Sequence, residues 1–76
     1  MYLYRIKRLP ATDTKPTRLK VMRVISGKSR IVPLDHSADF PARQAVIDAF
    51  GDKGDTINLQ FAGTDKQASY YISSPV

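Results

Sequence analysis

Val24-Ile25-Ser26-Gly27-Lys28-Ser29-Arg30-Ile31-Val32 decides the fold class of this 76-residue chain. Read as the end of a phosphate-binding loop, Gly27-Lys28-Ser29 implies a nucleotide-binding α/β domain; read as a turn between two apolar runs, it implies a β-hairpin. The residues favour the hairpin. A phosphate loop needs an earlier glycine, separated from the Gly-Lys pair by four residues, so that the backbone can wrap the phosphates. Met22 stands at that position. A helix must also follow the lysine, yet Arg30-Ile31-Val32-Pro33 brings two β-branched residues and then a proline, which no helix interior tolerates. Polar residues around a glycine between apolar runs are the ordinary hairpin signal.

Outward from this turn, the chain alternates as strands do. In residues 2–8, Tyr2, Tyr4 and Ile6 share one face and Leu3, Arg5 and Lys7 the other, until Pro10 ends the run. Residues 10–17 hold two prolines and small polar residues and read as a long loop. Residues 18–25 resume the pattern, with Leu19 and Val21 on one side and Lys20, Met22 and Val24 on the other. Residues 30–34 make a short third strand, whose Pro33 predicts an edge position.

One helix is predicted over residues 40–51. Pro41 suits its first turn and Gly51 the position just past its end. Ala42, Val46, Ala49 and Phe50 form an apolar stripe, Ala45 and Ile47 widen it, and Gln44 and Asp48 face away. After a turn at Asp52-Lys53-Gly54-Asp55, residues 56–62 place Ile57, Leu59 and Phe61 inward. Residues 68–73 return with Tyr70 and Ile72 on one face and Tyr71 on the other, the expected exposed ring. The order β-β-β-α-β-β predicts one small α+β domain over residues 1–76, an antiparallel or mixed sheet packed against one helix. Whether the first three strands and the last two make one sheet or two stays open at this level. One sheet requires the helix to cross over, whereas two would make the final hairpin a candidate dimer seam.

Length and composition narrow the class of protein. Seventy-six residues without cysteine form a small core, with neither disulfides nor thiol-bound metal to reinforce it. A homodimer is therefore expected more readily than for a larger domain, and the lack of cysteine suits a reducing cytoplasm. No apolar run approaches the roughly eighteen to twenty residues that cross a bilayer, so no membrane partner is expected. The first residues, MYLYRIKRL, interleave charge with apolar groups and read as a strand, not a targeting signal.

The chemistry of catalysis is thinly represented. All seven acids are aspartates, and six fall in predicted loops, where an aspartate side chain bonds nearby amides. Asp52-Lys53-Gly54-Asp55 lacks the alternating oxygen ligands and terminal glutamate of a calcium loop. His36 is the single histidine, and the neighbours Asp35-His36-Ser37 are not placed as a hydrolase triad, whose members converge from separate elements. No enzyme activity, cofactor or metal is expected.

Charge carries the functional lead. Residues 1–30 hold nine lysines and arginines against Asp13 alone, a net +8, whereas residues 31–76 hold three against six aspartates, a net −3. Such a division suits an anionic partner. Arg5 and Lys7 share a face, and Arg18 and Lys20 join them if the first two strands pair antiparallel. Arg23, Lys28 and Arg30 add charge near the strand ends. A basic ribbon of two or three strands fits the DNA major groove, where these seven residues would contact phosphates and guanine edges. In element order, a three-stranded sheet followed by a helix is similar to the sheet-type DNA-binding domains of phage integrases and certain plant transcription factors. The expected function is nucleic-acid binding without catalysis. The alternatives are a solvated face that maintains solubility, and a protein-binding adaptor or inhibitor of the kind phages and mobile elements encode. The last would occlude a host protein complex through a sheet edge or Tyr71.

Overall fold

The Gly27 stretch turns the chain from strand to strand. In the computed structural model, which describes residues 2–34, 41–51 and 59–73, the Arg23 amide donates to the Lys28 carbonyl at 2.9 Å, and the Gly27 amide donates to the Arg23 carbonyl at 2.8 Å. Within the loop, Gly27 takes a φ of 74°, in the left-handed region that a Cβ disfavours. The turn thus begins at Arg23, earlier than the alternation suggested. Val24 and Ile25 leave the strand, and Ile25 is exposed.

Five strands and one helix follow one another as β1 (Tyr2–Leu9), β2 (Arg18–Arg23), β3 (Ser29–Pro33), α1 (Pro41–Phe50), β4 (Gln60–Thr64) and β5 (Ala68–Ser73). They form one sheet in the order β3-β2-β1-β5-β4, with every neighbouring pair antiparallel. The question of one sheet or two is settled by β1. It is the central strand, with β2 on one side and β5 on the other, so its backbone groups are used on both edges. The chain then passes through α1 from the β3 edge to the β4 edge. Because the first three strands do not stand alone, the likeness to three-stranded DNA-binding sheets ends at element order.

Alternation along the strands sorts the side chains between two faces. Tyr4, Ile6, Leu19, Val21 and Val32 point to the helix and bury there with Ala45, Val46, Ala49 and Leu59. The helix meets them with the expected stripe, while Gln44 and Asp48 turn away and bond to each other at 2.9 Å. Gly51 follows its last residue at a φ of 69°, and its amide reaches the Ile47 carbonyl at 2.7 Å. Pro33 lies on the β3 edge, where a missing amide donor costs least.

Two expectations about apolar residues need correction. Phe61, expected inward, is 61% exposed: α1 lies over β2 and β3, and no described residue roofs the far edge at β4. The strand also runs on to Thr64, with a bulge between Phe61 and Gly63. Tyr71, expected to present an exposed ring, is half-buried against the core on the helix side, with Phe61 edge-on at 5.7 Å. The turn expected at residues 52–55, the start of the strand expected over 56–62, and His36 with its polar loop lie outside the described residues. Among the described residues, no helix is long and apolar enough to cross a membrane.

Candidate nucleic-acid interface

The sheet face away from the helix is built by the residues that alternate with the core. Register places Lys7 opposite Lys20, Leu9 opposite Arg18 and Arg5 opposite Met22 across β1 and β2. Arg5, Lys7, Arg18 and Lys20 therefore share this open face, as antiparallel pairing of the two strands required. On the other side of β1, Arg5 stands beside Tyr70 and Leu3 beside Ile72. Beyond β2, Ile31 neighbours Lys20 and is 56% exposed.

The seven basic residues assigned to nucleic acid divide into two groups. Arg23 points to the helix side and is half-buried there, its guanidinium 4.5 Å from the centre of the Tyr2 ring and 4.6 Å from that of Phe50. This stacking joins the end of the sheet to the end of the helix, a structural role that sequence alternation alone did not reveal. Lys28 and Arg30 are exposed and line, with Arg23, the cleft at the last turn of α1. That turn has no basic residue of its own. These cations complement its carbonyl end. They lie apart from the other four.

Asp65 and Tyr70 also belong to the open face, and sequence reasoning had singled out neither. Asp65 begins the turn between β4 and β5. Its Oδ1 accepts from the amides of Gln67 and Ala68, each at 2.7 Å. Its Oδ2 accepts from the Tyr70 hydroxyl at 2.8 Å and from Arg5 Nε at 3.1 Å. The Gln67 amide first, then the Tyr70 hydroxyl, hold this carboxyl well below the usual carboxylate range. The Arg5 guanidinium is raised in turn, chiefly by its bond to Asp65. Arg5 is thus neutralised locally. Lys7 and Lys20 have no acidic partner among the described residues.

The sign of the Asp65 effect gives a pH prediction. Since its folded pKa lies below the unfolded value of about 4, the carboxylate stabilises the fold fully above that pH, and the contribution is lost as pH falls through the lower folded value. The melting temperature of the wild type should drop more steeply below about pH 4 than that of Asp65→Asn, whose remaining oxygen still accepts from the turn amides. Parallel melting curves by circular dichroism would deny the carboxylate this role.

Among the described residues, no group of three or more His, Asp or Glu side chains could hold a metal ion. No protein-family model, curated protein or solved structure matches the chain.

Proposed function

We propose that this protein binds nucleic acid, without catalysis, on the open face of its sheet through Lys7, Lys20, Arg18 and Arg5. The observation that carries this reading is the pairing of Lys7 with Lys20 directly across two central strands. Like charges so placed destabilise a sheet, by up to a few tenths of a kcal/mol at an exposed site. A phosphate lying over both ammonium groups turns that cost into affinity. Arg18 sits two residues along β2, in the next row of the same face, and is held by its own Nε–H donating to the Pro16 carbonyl at 3.2 Å, leaving the rest of the guanidinium to face a second phosphate.

Stability and binding then respond oppositely to one substitution. Lys20→Glu replaces a repulsive cross-strand pair with an attractive one, so thermal stability is expected to rise slightly. Binding is expected to weaken by about tenfold or more, because a phosphate contact is lost and a repulsive charge gained. Fluorescence polarisation with labelled DNA and RNA, at low and at physiological salt, measures the second effect, and a thermal melt the first. Unchanged affinity would overturn the proposal.

A second reading, occlusion of a host protein, draws support from Phe61, which is exposed on an edge strand that carries neither charge nor proline. Nuclease-treated pull-down with the Lys20→Glu variant separates the two readings. Retained capture of one stoichiometric partner favours occlusion; loss of all co-purifying material favours the nucleic-acid face.

A further inference from the structure

Resting on the nucleic-acid reading, we infer that the strand taken by this face is single, and that it lies across the β-strands with its phosphates over one row of side chains and its bases over the next. Two observations carry this inference.

The first is width. Strands stand about 4.8 Å apart, so five of them span about 19 Å between the outer axes. The DNA major groove is only about 12 Å wide. Lys7 lies on the central strand and Lys20 on the next, with β3 flanking one side and β5 and β4 the other. For the backbones of β1 and β2 to lie inside the groove, the flanking strands would have to pass through the phosphate backbones. The strands that join the first two thus leave them no room to fill the groove as a free ribbon.

The second is how polarity is graded along the strands. Beginning at one end of β1, the open face presents the row Leu3, Ile72 and Gln60, then the row Ser29, Met22, Arg5 and Tyr70, then the row Ile31, Lys20, Lys7 and Ala68, and last Arg18 between Pro33 and Leu9. Successive rows are two residues apart, or about 6.8 Å. The cations without an acidic partner stand toward one end. Toward the other stand Met22, Tyr70, Leu3 and Ile72, and among them Arg5 is neutralised by Asp65, whose carboxylate reaches it from the turn beside Ala68, in the Lys7 row. A duplex presents phosphates on its outside and has nothing to offer that apolar half. A single strand carries phosphates along one side and unstacked bases along the other. Laid over these rows, it matches both halves, with the Tyr70 ring, fixed by the bond from its hydroxyl to Asp65, as the base platform.

The experiment compares the full chain with a labelled oligothymidine of about twenty nucleotides and with a blunt duplex of equal length, by fluorescence polarisation at physiological salt. Tighter binding of the single strand by about tenfold or more is expected. Equal or tighter duplex binding would overturn the inference and leave the basic-face reading standing. Binding of neither, even at low salt, would overturn that reading itself. In addition, Tyr70→Leu is expected to lower single-strand affinity about five- to hundredfold, while Tyr70→Phe, which keeps the ring, stays near wild type. If both variants bind as the wild type does, the base platform is refuted. The oligonucleotide comparison on the unaltered chain stands whether or not the leucine variant folds.

Discussion

Replacing Arg5, Lys7, Arg18 and Lys20 together by alanine is expected to lower affinity for nucleic acid by about 100-fold at physiological salt, or about 2.7 kcal/mol. That is only about 0.7 kcal/mol for each cation, modest for a charge contact to phosphate. The salt dependence should change with it. Each phosphate contact to a single strand adds about 0.7 to the logarithmic salt slope, so Lys7, Lys20 and Arg18 contribute about 2.1 and account for about a 20-fold loss between 50 and 200 mM salt. The variant should lose most of that slope. Its fold should survive, because none of the four belongs to the buried core and removal of Lys7 and Lys20 relieves a repulsive pair. Polarisation titrations at several salt concentrations, with circular dichroism on the same samples, measure both. A folded variant with undiminished affinity would sink the open face as the binding surface, and Lys20→Glu repeats the test with a single change.

The largest effect on stability is expected at Tyr4. Its side chain is fully buried on the central strand, its ring centre 6.1 Å from that of Tyr2 and 6.0 Å from that of Phe50. Truncation to alanine removes the ring where sheet and helix end meet, at a cost of about 3–5 kcal/mol. A domain of this length holds about 4–11 kcal/mol in all. The alanine variant should therefore melt at least about 12 °C lower, or fail to fold at the lower end of that range. Tyr4→Phe should behave differently. The hydroxyl is buried and has no partner among the described residues, so its removal is expected to leave stability within about 1 kcal/mol of wild type or to raise it. Denaturant titration of the two variants decides. An alanine variant as stable as wild type would refute Tyr4 as the centre of the core.

Much of the architecture was legible because local chemistry specifies it. Pro41 and Gly51 bounded the helix within a residue of its observed ends, since a fixed φ suits the first turn and a left-handed residue ends the last. Alternation placed Arg5 with Lys7 and Arg18 with Lys20, and antiparallel pairing brought the two sets together. The same parity put Arg23 with Leu19 and Val21, facing the helix. Grouping it with the binding residues by charge alone overlooked this.

Tyr71 and Phe61 show where local chemistry stops. Alternation correctly set Tyr70 and Tyr71 on opposite faces of their strand. Which face the helix would cover depended on the pairing of β5 with β1, between residues more than sixty positions apart. The Arg5–Asp65 ion pair, sixty residues apart in sequence, has the same origin. Phe61 stayed exposed because the helix covers the β2–β3 side, a choice made by packing.

The sequence by itself thus determined the elements, the hairpin at Gly27, and which side chains share a face within each strand, because turns, caps and pleat are short-range consequences of residue type. Only the tertiary structure decided that β1 is central, that Asp65 quiets Arg5, and that the basic face lies within a sheet of five strands. Backbone ladders bond any strand to any other with nearly the same groups, so the choice of neighbours comes from how the whole core closes.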